Sequence, residues 1–144
     1  MSTEENKALA YRYYAEMNKQ NYLALFDEIA APDLVWHDAP PGTPPGRAGA
    51  KQVHTAFFTG FPDMHATVAD LIAEGDKVVV RGTLHGTHQG EFMGIPPTGK
   101  VVTVKAIAIY RFAGGKGVEH WWNRDDLGLL QQLGAIPQMA QAGA

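Results

Sequence analysis

Apolar positions near the start of the chain recur with a helical period. Leu9, Ala10, Tyr13, Tyr14 and Met17 share one face, with Arg12, Glu16 and Lys19 opposite. Thr3 is the expected N-cap, with Glu4 and Glu5 in the first turn. Tyr22, Leu25, Phe26 and Ile29 form a second, shorter apolar face, which Pro32 ends. Leu34–His37 reads as a short strand, followed by the loop APPGTPPG from Ala39 to Gly46. A third helix is expected over Ala48–Thr59, burying Val53, Ala56, Phe57 and Phe58, with Gly60 as its C-terminal cap.

After Asp63 the period changes to two. Met64–Ala73 and Lys77–His88 flank a turn at Glu74–Asp76, and Lys100–Phe112 turns at Ala113–Gly117 into Val118–Arg124. A short helix over Asp126–Leu133 stops at Gly134, and the tail beyond it is expected to be loosely held. Helices first, then a meander of four long strands, predict an α+β domain. Long strands twist and curl, so a curved antiparallel sheet with N-terminal helices over its concave face is expected. The space between the two layers is the natural pocket. Residues 1–144 read as one domain with an ordered core over 4–134.

Composition narrows the partners and the chemistry. Hydrophobic residues make up 45% and charged residues 19%, a globular balance. The net charge is -3 and no basic run is present, so neither nucleic acid nor an anionic membrane is an expected partner. No apolar run is long enough to cross a bilayer, and the polar, acidic N-terminus is not a secretory signal; the expected location is cytoplasmic. There is no cysteine, and the only serine is Ser2. Serine and cysteine nucleophile mechanisms are therefore excluded, leaving Asp, Glu, His, Tyr, Lys, Arg, Thr or water.

Gly94–Lys100, GIPPTGK, matches the phosphate-loop expression, but two prolines remove backbone donors and a strand, not a helix, follows. A rigid hairpin connection is expected there. His85 and His88 lie three apart on a strand and point to opposite faces, so no metal is expected. His37 ends a strand before the Pro/Gly loop, where it serves either as a general base or only to bond its own loop. Asp125 and Asp126 stand at a strand end: one is expected to cap the last helix and the other to face the pocket. Glu119, Trp121, Asn123 and Asp125 share one strand face; His120, Trp122 and Arg124 share the other. A carboxylate beside an indole wall would be partly desolvated, which raises its pKa towards acid–base duty.

FPDMHATVADLIAEGDKVVVRGTLHGTHQGEFMGIPPTGK, from Phe61 to Lys100, resembles the SnoaL-like polyketide cyclases, or ester cyclases. So does the terminal pattern GK-x-VEHW-x-x-x-DDLGLLQQLG, and the similarity runs from the first helix to Gly134. The resemblance implies the nuclear-transport-factor-2-like fold, a cone-shaped α+β barrel with an apolar pocket. It also implies homodimers or homotetramers packed through the sheet. Characterised members close a polyketide ring by intramolecular aldol condensation without metal or cofactor. Their essential aspartate maps onto Asp125 by the W-x-x-x-D spacing, and His37, in VWHD, matches a family histidine. Asp126 is left to serve the helix start. Gly117, Trp122 and Arg124 depart from the aliphatic, acidic and aromatic residues of many relatives.

The expected function is thus cofactor-free acid–base catalysis on an apolar carbonyl compound. Asp125 and His37 are the expected catalytic pair. Trp36, Trp121, Asn123, Tyr14, His54, Phe58, His88, Phe92 and Met93 are the expected substrate-binding residues. The alternatives are an epoxide hydrolase or isomerase, with Glu119, Arg81 or Arg111 as a helper group, and a non-catalytic binding or dimerising domain.

Overall fold

The computed structural model describes residues 2–137, so the tail from residue 138 lies outside the described residues. The elements run α1 (Thr3–Ala15), α2 (Tyr22–Ile29), β1 (Ala30–Trp36), α3 (Gly46–Gly60), β2 (His65–Glu74), β3 (Lys77–Thr87), β4 (Val101–Ala113), β5 (Lys116–Arg124) and α4 (Asp126–Gln132). They form the expected α+β architecture. Ser2, not Thr3, caps α1: its hydroxyl accepts from the Glu5 N–H while the Glu5 side chain reaches back to the Ser2 backbone. This capping box satisfies two donors at once, which a cap at Thr3 could not do with Glu5. Gly60 is the last residue of α3 rather than its cap, a place Phe61 takes.

β1 departs from the expected arrangement. The sheet order is β1-β5-β4-β3-β2, and β1 pairs with β5 in parallel, making a mixed sheet rather than a purely antiparallel meander. Pro32 does not end α2; it lies inside β1, an edge strand, where a missing N–H is tolerated. The four-strand meander itself pairs in antiparallel succession.

Alternation sets the layers. On β3, Val78, Val80, Gly82, Leu84 and Gly86 are buried; on β4, Val102, Val104, Ala106, Ala108, Tyr110 and Phe112 are buried. These face α1 and α3, and Phe26, Ile29, Val78 and Val80 are fully buried between the layers. Burying each such side chain contributes about 1.5–3 kcal/mol. The segment Gly94–Lys100 is a loop running into β4, as its prolines require. Among the described residues, no helix is long and apolar enough to cross a membrane.

Candidate active site

The inner cavity lies between α1, α3 and the sheet. Tyr13, Tyr14 and Met17 reach it from α1, His54 and Phe58 from α3, and Tyr110, His120 and Trp122 from β4 and β5, with Met64 and Leu84 closing the side. None of its lining residues is an Asp or Glu. The free volume is ≈ 30 Å³, close to one water's share of the liquid. Two of the lining side chains are methionines, whose unbranched thioethers repack readily.

His54 owes its place to helical spacing. Ala50, His54, Phe57 and Phe58 form the buried face of α3. Its Nδ1–H donates to the Ala50 carbonyl at 3.0 Å. A neutral ring bonded this way carries its lone pair on Nε2. Burial, reinforced by the nearby Arg124 charge and opposed by the Ala50 carbonyl, lowers the His54 pKa to about 4, so the ring is neutral near pH 7. Trp122 stacks on it at 5.3 Å and 14°. His120 sits between Tyr110 (4.6 Å) and Trp36 (5.3 Å), and burial, His54 and Arg124 together push its pKa well down.

This cavity is unusual for its idle polar atoms. The hydroxyls of Tyr13 and Tyr14, both ring nitrogens of His120 and Nε1 of Trp122 are buried without a hydrogen-bond partner. Each such group costs about 1–3 kcal/mol when left unpaired, and all four residues that carry them border the same apolar cavity. Burial pushes the Tyr14 hydroxyl up to about 12, with the Trp122 indole and Arg124 charge drawing it back. It therefore stays protonated and available as a donor.

A second space lies on the far side of a shared wall. Val53, Ala56, Phe57, Phe92, Met93, Leu129 and Leu130 line an apolar cleft of ≈ 270 Å³, together with Pro40, Arg124 and Asp126. Phe57 of the cleft and Trp122 of the cavity stand 6.0 Å apart, and the Arg124 guanidinium lies over both rings, at 4.8 and 4.4 Å.

The expected catalytic pair is not brought together here. Asp125, exposed, is the N-cap of α4: its carboxylate accepts from the Gly128 N–H at 2.9 Å. Asp126 does not cap the helix but pairs with Arg124 at 3.1 Å, so the division of labour expected for the two aspartates is reversed at the cap. His37 is exposed, bonded to Glu119 at 2.7 Å and stacked on Trp121 at 4.6 Å. Lys77 covers the same indole, and Arg111 holds the other Glu119 oxygen at 2.5 Å. This group occupies the outer face of the sheet, because β5 turns His120 and Trp122 inward. Arg81 also lies outward, bonded to Asp70.

Of the expected binding residues, Tyr14, His54 and Phe58 line the cavity, and Phe92 and Met93 line the cleft. Trp36 stacks on His120 and donates its indole N–H to Asp38. His88 is fully buried, but its Nδ1 accepts from the Thr98 N–H, fixing the loop before β4. Trp121 and Asn123 lie on the outer face, Asn123 beside Arg81 and Lys105. His120, Tyr13, Tyr110 and Trp122 border the cavity and Arg124 the cleft, although none is among the expected site residues. The signal available was the inward phase of His120, Trp122 and Arg124, which the neighbouring Trp121 obscured. Among the described residues, no three His, Asp or Glu side chains converge as a metal-binding group.

Solved structures match this fold closely. AclR of Streptomyces galilaeus, assigned provisionally as a hydroxylase, is 33% identical, with 98% of this chain and 88% of that one covered and a TM-score of 0.84. TsrD of Streptomyces laurentii is 29% identical over 94% of this chain and 99% of its own, with a TM-score of 0.83. IdmH of Streptomyces antibioticus, assigned provisionally as a polyketide cyclase, is 37% identical over 93% of this chain and 99% of its own, with a TM-score of 0.74. No curated protein of known function matches the sequence. The family model for SnoaL-like polyketide cyclases matches residues 8–133. The chain belongs to the SnoaL-like polyketide cyclase family.

Proposed function

We propose that this protein catalyses proton transfer on an apolar carbonyl compound, of the kind that drives an intramolecular aldol ring closure. The observation that carries the reading is the tautomer of His54: with Nδ1–H spent on Ala50, Nε2 is a base in the wall of a cavity whose tyrosine hydroxyls have no partner. His54 removes a proton alpha to the carbonyl, and the Tyr14 O–H donates to the developing enolate oxygen. His120 lies beside them as a second neutral imidazole. The substrate enters by displacing Met17 and Met64. This replaces Asp125 and His37 as the proposed pair, because both have polar partners outside the cavity. The absence of a carboxylate from the lining argues against the epoxide hydrolase version. The small free volume supports the other alternative, a non-catalytic domain, and the following assay separates the two.

The α-protons of 2-tetralone, an apolar ketone, exchange with heavy water and are followed by NMR. The protein is expected to accelerate that exchange over buffer. His54→Gln should lose most of the acceleration, on the scale of about 100-fold or more for a general base. Tyr14→Phe should lose part of it. Asp125→Asn, which can still accept from Gly128, should stay within about twofold of the wild type, since Asn caps as well as Asp. No acceleration, or loss in Asp125→Asn with His54→Gln unaffected, sinks the assignment.

The outer face of the sheet suits self-association. Ile72, Val79, Ile109 and Trp121 are successive cross-strand partners and form an apolar row, with Ile107 alongside. Ile72 is 61% and Ile107 49% exposed in the single chain. A second copy packed on this row accounts for that exposure. Light scattering should report an oligomer for the wild type and a monomer for Ile72→Glu/Ile107→Glu; equal masses for both argue against this face.

A further inference from the structure

Asp38 stands just past the end of β1 and is exposed, yet its carboxylate holds two tryptophans. Oδ1 accepts from the Trp36 indole N–H at 2.8 Å and from the Trp122 main-chain N–H at 2.9 Å. Oδ2 accepts from the same Trp122 N–H at 3.0 Å. One residue earlier, the His37 N–H donates to the His120 carbonyl at 2.9 Å. The Asp38 side chain thus extends the parallel β1–β5 ladder past the point where the main chain of β1 leaves it. A carboxylate acceptor makes a stronger hydrogen bond than a neutral one.

Both tryptophans pack on the imidazoles of the inner cavity. Trp36 lies on His120 at 5.3 Å and 22°, and Trp122 on His54 at 5.3 Å and 14°. Trp36 is also a wall of a separate cleft of ≈ 450 Å³ between β1 and the Pro/Gly loop, shared with Pro32, Val35, Thr43 and Pro44. Ala50, whose carbonyl holds His54 Nδ1–H, borders the same cleft. The cleft therefore backs onto both imidazoles, yet His54 is only 5% and His120 1% exposed. Half-buried Trp36 touches both spaces. A buried indole N–H seeks a partner, so without Asp38 the ring gains by turning towards water in the cleft.

We infer that Asp38 is a positioning residue of this cavity: by holding Trp36 and the main chain at Trp122, it keeps Trp36 shut against His120 and the water of the cleft away from both imidazoles. Its consequence for proton transfer rests on the reading of His54 as the base. Position and charge act in opposite directions, which separates them. A nearby negative charge favours the protonated imidazole, so removing the charge alone would lower the pKa of both rings. Opening the seal hydrates the rings and raises it. The titratable and charged groups around the two rings are Tyr13 and Tyr14 on α1, His65 on β2, Tyr110 on β4 and Arg124 on β5, none of them a carboxylate.

The test is nitrogen NMR of the imidazoles in the histidine-labelled full-length protein, without substrate, from pH 7 to pH 4.5. The two signals are assigned by their loss in His54→Gln and His120→Gln. In Asp38→Ala both midpoints should rise by about one unit towards the ordinary value of about 6.5. Asp38→Asn lacks the charge but keeps one oxygen able to accept both N–H groups, as Oδ1 does now, so its midpoints should match the wild type. Trp36→Phe has no N–H to hold and should rise like Asp38→Ala; it decides the matter where Asp38→Ala does not fold. In the 2-tetralone exchange, the acid limb of the pH profile should move up with the midpoints, whereas lost stability alone would lower the rate without moving the limb. A wild type that exchanges no ketone protons removes the reaction and leaves the ring titrations to decide the role of Asp38. Unchanged or lowered midpoints in Asp38→Ala and Trp36→Phe, or a rise in Asp38→Asn equal to that in Asp38→Ala, overturn the inference.

Discussion

Acidification from pH 7 to pH 4 should destabilise the folded protein by about 3 kcal/mol through His54 alone, at about 1.4 kcal/mol per pH unit, because its pKa falls from an ordinary 6.5 to about 4 on folding. Between those two values the unfolded chain binds a proton that the folded one refuses. Stability from this group is therefore complete above 6.5 and is lost as the pH falls towards 4. His120 acts in the same direction, since burial, His54 and Arg124 all disfavour its charge. The groups facing the pair add no compensating negative charge: Tyr13, Tyr14 and Tyr110 stay protonated, and Arg124 is itself a cation. Asp63, where burial is outweighed by the hydrogen bonds from Thr87, and Glu119, held down by the hydrogen bonds from Arg111 and His37, both have lowered pKa values and lose their contributions at still lower pH. Urea unfolding at pH 7, 5.5 and 4 measures the effect. His54→Phe keeps an aromatic ring against Phe26 and Trp122 and should flatten the dependence substantially. An equal slope in the variant would mean that His54 does not govern it.

Gly49→Ala should destabilise the protein, although helix propensity alone says the opposite. Alanine in the interior of α3 gains about 1 kcal/mol over glycine. At Gly49, however, an added Cβ would stand 1.7 Å from the Pro44 carbonyl oxygen and 2.8 Å from its carbon. No side-chain rotation relieves a clash with backbone, so either α3 or the Pro/Gly loop must move. Overpacking of this kind costs about 1–3 kcal/mol and occasionally more. We expect a net loss of about 1–2 kcal/mol, seen as a fall in thermal midpoint of several degrees. A rise in the midpoint would show that propensity wins and that the loop yields freely.

Local periodicity was enough to read most of the elements. The helical spacing of Tyr13, Tyr14 and Met17 and the alternation from Val78 to Phe112 each repeat often enough to outvote single exceptions. The prolines of GIPPTGK ruled out a phosphate cradle because a missing N–H is a property of the residue itself. The cavity around His54 was less legible. β5 carries Trp121 and Trp122 side by side, so either phase buries an indole, and alternation alone does not decide between them.

Tertiary pairing made that decision. Tyr110 pairs with His120 and Ala108 with Trp122, and the buried face of β4 carries their partners inward. Trp121 was thereby turned outward onto His37, and the Glu119 side of the strand became surface. The same pairing ends β5 so that Asp125, not Asp126, meets the first free N–H groups of α4. Sequence by itself determined the family, the element types and the pool of chemical groups. Only the folded structure decided which of those groups share a space, because facing is set by partners far along the chain and not by a residue's neighbours.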